Sequence, residues 1–284
     1  MLTQDQQRIR AQGLGASEIA AVCGLDPFRA PIDIYLQKTG QAVPFEGNAQ
    51  TRWGDWIEGL VGKWYVEEFP EWTLHKGVTE TSPGHSWALA TPDFYAESDH
   101  DGKLIEVKNV GARMAHHWAN GVPDYAQAQV LWQMLVTGCH VAEVVAVIGG
   151  QAPEVFPVAW DEEQAGLMFQ IAESFWRNHV VARVPPEVDG SNSYKEFLAR
   201  LFPRSGPGMA KGGVEEVGWA TAYAKAGKDE EDAKSRKQHA ANRLKQSIGE
   251  HEGLMLPCGK VTWKSDKTGK RSLRVSMKGQ EWSV

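Results

Sequence analysis

The chain is short of cysteine, of long apolar runs and of positive charge, and each shortage excludes a class of protein. Cys23, Cys139 and Cys258 are the 3 cysteines in 284 residues, and they lie far apart with no paired spacing. That leaves neither a disulfide framework nor a zinc-ligand set, and it suits reduced thiols in a cytosolic protein. The longest apolar stretch, residues 141–148, is interrupted by Glu143 and is far too short to span a bilayer. Residues 1–12 are polar and offer no apolar h-region, so no signal peptide is expected. No internal repeat is visible. The formal charge of −6 argues against a polyanionic partner for the chain as a whole, because phosphate contacts need Lys and Arg.

The charge is unevenly placed. Residues 1–210 hold 15 basic against 26 acidic side chains, whereas residues 211–284 hold 15 against 10. Lys260, Lys264, Lys267, Lys270, Arg271, Arg274 and Lys278 crowd one stretch of that tail. A solvated, charge-balancing face accounts for the run as readily as an anion-binding surface does. An apolar content of 42% with 12 tryptophans indicates a folded core, and the length allows one sizeable domain plus an appendage.

The chemistry gathers around a short apolar strand. Ala90-Thr91-Pro92-Asp93-Phe94-Tyr95-Ala96 is followed by a polar turn over residues 98–102, then Leu104-Ile105-Glu106-Val107-Lys108-Asn109. Glu106 and Lys108 are two apart in a β-prone run, so they project from one face, roughly 6–7 Å apart. The Asp/Gly turn folds the Asp93 segment back as a hairpin partner. Two carboxylates bind a hard divalent cation through oxygen, and an adjacent lysine can orient water. These are the parts that metal-assisted phosphodiester hydrolysis needs. A Glu-x-Lys pair alone is an ordinary solvated strand face; the surrounding segments change its weight.

Upstream, Trp53, Trp56, Ile57, Leu60, Val61 and Trp64 repeat at helical spacing, and Glu58 lies at the margin of their stripe. Downstream, Pro123 opens a second helix whose buried stripe is Ala126, Val130 and Met134, flanked by Gln129. A rim glutamate or an edge amide says little in isolation.

Taken in order, these segments resemble a known family. Arg10-Ala11-Gln12-Gly13-Leu14-Gly15-Ala16-Ser17-Glu18-Ile19, Leu36-Gln37-Lys38-Thr39-Gly40, Arg52-Trp53-Gly54 with Glu58, Thr91-Pro92-Asp93, Glu106-Val107-Lys108 and Tyr125 with Gln129-Val130 resemble the YqaJ-type viral recombinase nucleases. These are relatives of lambda exonuclease in the PD-(D/E)XK superfamily. The resemblance covers about residues 8–150, and ordered agreement over several motifs is more specific than any one of them.

The resemblance implies that Asp93, Glu106 and the Val107 carbonyl ligate Mg²⁺ or Mn²⁺, with two ions per site. It implies that Lys108 positions the attacking water, Glu58 binds metal directly or through water, and Gln129 holds Lys108 or the nucleophile. Arg10 and Ser17 would grip the 5′-phosphate of a DNA end. The Asp93-to-Glu106 spacing is a little longer than in lambda exonuclease, and the extra residues fall in the turn at 98–102, where insertions are tolerated. Ser17 also reads, apart from the resemblance, as the N-cap of a short helix closed by Gly24. Free N–H groups at that helix start would attract an anion, with Arg10 adding a bidentate fork.

The expected fold is α/β (α+β): a central mixed β-sheet flanked by helices, with a restriction-endonuclease-like nuclease core and a C-terminal helix plus β-hairpin appendage. Helices are expected near 17–23, 31–39, 50–68, 123–137 and 161–180, and strands near 72–79, 86–96, 103–109, 141–149 and 154–159. Residues 1–190 form the core in this reading, 191–213 a Pro-, Gly- and Ser-rich linker, and 214–284 the appendage. Within the appendage Gly227 reads as a helix break, Gly249 as a stop, and 258–264 with 272–277 as a hairpin. The adjacent His116 and His117 read as diverging, solvent-exposed rings rather than a metal pair.

The function implied is that of a Mg²⁺-dependent phage or prophage exonuclease in the bacterial cytoplasm. It would digest double-stranded DNA from 5′ ends and leave 3′ overhangs for a single-strand annealing protein, with a homotrimer ring as the active form and no membrane association. An endonuclease using the same site, or a non-catalytic DNA-end-binding accessory, is the alternative.

Overall fold

The computed structural model describes Ile9 and residues 12–42 and 47–277. Two compact units meet in sequence between Ser205 and Gly206. The first contains β1 (Leu14–Gly15), α1 (Ala16–Val22), α2 (Pro31–Lys38), α3 (Ala49–Glu68), β2 (Thr73–Lys76), β3 (Glu80–Ser82), β4 (His85–Ala90), β5 (Phe94–Glu97) and β6 (Gly102–Val110). It continues with α4 (Asp124–Thr137), β7 (Ala142–Ile148), β8 (Glu154–Val158), α5 (Glu162–Phe175) and α6 (Asn192–Leu201). The fold is α/β, with mixed sheets flanked by helices.

The main sheet has the order β2-β5-β6-β7-β8. β5 and β6 form the expected antiparallel hairpin, and β6 pairs parallel with β7 across the α4 crossover. A strand in that position is covered on both faces, which is why β7 reads Ala-Glu-Val-Val-Ala-Val-Ile with little alternation. Val61 and Tyr65 of α3 pack on one face with Ile105, Val145 and Val147. Ala126, Val130 and Met134 of α4 are fully buried on the other side with Leu104, Val144 and Ala146. Glu106 and Lys108 share the Leu104 side of β6, so the alternation of the strand turns them toward α4.

The single strand expected over residues 86–96 is two. β4 belongs to a separate three-stranded sheet, β1-β4-β3, and β5 to the main sheet. Thr91-Pro92-Asp93 carries the chain between them, and Pro92 has no N–H to continue a ladder. The expected strand at 72–79 likewise ends at Lys76. Gly77 follows because nothing larger fits: its N–H donates to the Asp93 carbonyl at 3.0 Å, and a Cβ there would stand 1.8 Å from the Pro92 oxygen.

The stretch expected as a linker begins with structure. Ser191 caps α6 by accepting the Tyr194 N–H at 3.0 Å, and Tyr194 and Phe197 are buried. The apolar spacing on one short helix outweighed the local Pro and Gly content. In the second unit, α7 (Val214–Ile248) runs unbroken through Gly227. An isolated glycine in an exposed helix costs only about 1 kcal/mol, which 35 residues of helix absorb. The hairpin is the outer part of a three-stranded antiparallel sheet, β11-β10-β9, made of β9 (Gly253–Leu256), β10 (Gly259–Ser265) and β11 (Arg271–Met277). Among the described residues no helix is long and apolar enough to cross a membrane.

Candidate active site

Pairing of Phe94 with Ile105 sets Asp93, one residue earlier, beside Glu106. Asp93 Oδ2 accepts the Val107 N–H at 2.8 Å, tying the carboxylate to the middle of β6. Burial, and then the neighbouring Glu106 carboxylate, push the Asp93 carboxyl up to about 7, against the downward pull of Lys108, the Val107 N–H and Lys76. A carboxyl held in that state sits where a cation would relieve it.

Glu106 is buried and held by three donors. Its Oε1 accepts from Lys108 Nζ at 2.7 Å and from Gln129 Nε2 at 2.6 Å, and its Oε2 accepts from Gln133 Nε2 at 2.8 Å. Lys108 Nζ also donates to Gln129 Oε1 at 2.8 Å, closing a triangle of lysine, glutamate and amide. The two glutamines are one turn apart on α4, so both meet the strand face. Trp132 Nε1, bonded to the Leu89 carbonyl at 3.0 Å, pins the same helix against β4.

Two participants escaped the sequence reading. Gln133 has no exposed surface, and its Oε1 is buried without a hydrogen-bond partner in the protein. The signal was available: Gln133 is four residues after Gln129, beside the fully buried Met134. Lys76, at the end of β2, ion-pairs with Glu58 and lies 5.1 Å over the Phe94 ring. Nothing local in Thr-Leu-His-Lys marks that lysine, since only the β2–β5 pairing brings it near Asp93.

The expected residues fall into three groups. Asp93, Glu106, Lys108 and Gln129 converge. Glu58 lies on the sheet-facing side of α3 but is held by Lys76, and among the described residues no three His, Cys, Asp or Glu side chains gather as a metal cluster. Arg10 lies outside the described residues. Ser17 is not an N-cap: α1 starts at Ala16, and the Glu18 carboxylate takes the Gly15 N–H at 2.8 Å. Glu18 is itself buried against Lys38 at 2.7 Å. The N-cap is therefore Gly15 rather than Ser17, which lies in the first turn of the helix. His116 and His117 are exposed as expected, but their rings are tilted together with centroids 4.0 Å apart rather than diverging.

Residues 5–140 match the YqaJ-like viral recombinase domain. The YqaJ-like segment includes the whole carboxylate, lysine and amide cluster and ends before β7. YqaJ of Bacillus subtilis (strain 168), an uncharacterized protein, is 24% identical over 197 residues, which cover 68% of this chain. The match spans only 61% of YqaJ's own length. The fold also resembles an alkaline exonuclease, LHK-Exo, from Laribacter hongkongensis. Its complex with dAMP superposes with a TM-score of 0.54 at 18% identity, over 70% of this chain and 97% of that one. A second LHK-Exo structure gives 0.53 over 70% of this chain and 100% of that one. At this identity the likeness establishes the fold, that of the lambda-exonuclease-like nucleases.

Proposed function

We propose that the YqaJ-like domain is a metal-dependent deoxyribonuclease that degrades double-stranded DNA from its ends. The observation that carries the reading is the pairing of Asp93 with Glu106 beside Lys108. The match of residues 5–140 to a viral recombinase domain and a fold similar to that of an exonuclease seen with a mononucleotide support it.

The donor set fits a hard cation. Asp93, Glu106 and the Val107 carbonyl are all-oxygen ligands suited to Mg²⁺ or Mn²⁺. Such an ion supplies Lewis-acid polarisation of the phosphoryl oxygen and a lower pKa for the attacking water. Those three groups suffice for one ion, and a second would draw on Glu58 once Lys76 releases it. Lys108 holds and orients the attacking water, and its charge offsets what builds on the phosphate as the P–O bond to the leaving sugar breaks. Gln129 fixes Lys108 through its carbonyl and Glu106 through its amide. Gln133 fixes the other Glu106 oxygen.

Proton and cation compete for Asp93, which fixes a pH dependence. With EDTA present, the folded state keeps a proton that the unfolded chain releases near 3.8, so this carboxyl favours folding at acid pH. That contribution is lost as pH rises through about 7. Added Mg²⁺ should therefore raise the thermal midpoint most above about pH 7 and least in acid. Identical melting curves with and without Mg²⁺ on the alkaline side would remove the metal site.

The finer reading is 5′→3′ digestion that leaves a 3′ overhang for a single-strand annealing protein, with a ring-shaped homotrimer as the active form. Strand-specific labels on linear duplex test it. A 5′-phosphate should speed digestion over a 5′-hydroxyl by about tenfold to a hundredfold, the worth of a charge-assisted contact of about 1.5–3 kcal/mol. Arg10→Ala should erase that preference. A supercoiled circle should stay intact, and cutting it would favour the endonuclease reading.

A further inference from the structure

The second unit lies beyond the family match, and its sheet is sharply two-sided. β10 and β11 pair with Lys260 opposite Ser276, Thr262 opposite Arg274 and Lys264 opposite Ser272. Strand alternation puts these six side chains on one face. Five of them are exposed and Thr262 is partly so. The opposite face carries Val261, Trp263, Leu273 and Val275. Val261 and Ile248 of α7 are buried there, and Lys245 of α7 covers the Trp263 ring at 5.8 Å. Val261 thus faces the helix, and the outward face of β10 and β11 bears cations and hydroxyls, with the exposed Met255 of β9 beside Lys260.

Charge on that face is compensated only in part. Residues 253–277 contain 6 basic side chains and a single acid, Asp266. Asp266 is turned into its own loop, where it accepts from the Thr268 N–H at 2.8 Å, the Thr268 hydroxyl at 2.6 Å and the Lys270 N–H at 3.1 Å. Arg271 serves the fold: it stacks 3.7 Å over Trp263 and donates to the carbonyls of Trp263, Gly249 and His251. Glu252 pairs with Lys264, while Lys260 and Arg274 have no ion-pair partner among the described residues. Arg274 sits diagonally between the two lysines at about 7–8 Å from each, and the lysines are about 13 Å apart along β10.

We propose that this face is a DNA-backbone contact surface, gripping duplex phosphates through Lys260, Lys264 and Arg274 with Thr262, Ser272 and Ser276 as hydroxyl donors. It extends the nuclease reading, because the polyanion is that reaction's substrate. It also answers the charge objection: an acidic catalytic unit is supplied with a basic surface carried on the same chain. The face reaches phosphate rather than base edges, so it is blind to sequence.

The test uses the full chain in EDTA, so that no cleavage intrudes, with fluorescence anisotropy on a short blunt duplex at several salt concentrations. The triple variant Lys260→Thr, Lys264→Thr, Arg274→Thr keeps good strand formers at exposed sites. It should bind at least tenfold more weakly at low salt. Its plot of log affinity against log salt should flatten by about 2.7, at about 0.9 for each phosphate no longer neutralised. Single variants Lys260→Thr and Arg274→Thr should each flatten it by about 0.9, and they serve if the triple variant fails to fold. A folded variant with wild-type affinity and slope overturns the proposal and leaves the nuclease reading standing. So does a wild-type chain that cleaves DNA with Mg²⁺ yet shows no affinity for duplex in EDTA. A wild-type chain that neither binds nor cleaves overturns both.

Discussion

Replacing Asp93 or Glu106 with alanine should reduce DNA cleavage by about a thousandfold or more while leaving the fold in place. The cation these carboxylates would hold is worth several kcal/mol of transition-state charge stabilisation, and each 1.36 kcal/mol is about tenfold in rate. The fold should survive because neither side chain contributes apolar packing, and removing Glu106 takes one of two facing carboxylates out of a buried site. Lys108→Ala should lose turnover comparably but bind Mn²⁺ nearly as wild type does, since an ammonium is no ligand. Circular dichroism, Mn²⁺ titration calorimetry and nucleotide release from linear duplex separate these effects. Undiminished cleavage by either carboxylate variant with Mg²⁺ present would sink the assignment.

Gln133→Leu should weaken Mn²⁺ affinity and cleavage by about 10–100-fold, the usual effect of removing a partner that orients a ligand. Thermal stability should change little or rise, because leucine removes a buried carbonyl that has no hydrogen-bond partner along with the donor. Gln133→Glu should be worse in both respects, setting a second buried carboxylate against Glu106 Oε2. Calorimetry and melting are read side by side. A leucine variant that melts lower yet binds Mn²⁺ as before would make Gln133 a packing residue only. Gln129→Ala should fall between, as Lys108 and Gln133 continue to hold Glu106 from either side.

The strand that carries Glu106 and Lys108 was legible because its pattern is local. Glu106 and Lys108 are two residues apart, and Asp93 is joined to them by one hairpin whose turn residues announce it. Gln129 was legible through a resemblance in sequence order, and its periodicity placed it correctly at the edge of the buried stripe. The two glycines read as breaks show the reverse case: Gly249 follows the end of α7, whereas Gly227 lies inside it. A glycine's local preference is weak against a long run of helix formers on either side.

What the sequence determined by itself is the set of groups with short-range causes. These are the β5–β6 hairpin, the face shared by Glu106 and Lys108, the helical spans of α3 and α4, and the valine-rich β7 buried on both sides. The apolar stripe read on α3 is buried only in part, since Trp53, Trp56 and Leu60 are exposed, and α4 is buried on most of its sides rather than along one stripe. Tertiary structure alone decided what depends on strand pairing between distant segments. The β2–β5 pairing brings Lys76 to Glu58 and Asp93, and the seating of α4 turns Gln133 as well as Gln129 onto Glu106. It also decided that Ser17 lies inside α1, because Glu18, buried against Lys38 20 positions away, takes the N–H of Gly15 and makes that residue the cap. Periodicity reports which face of an element is apolar. It does not report which element will cover that face, and a charged side chain acquires its role only once that neighbour is in place.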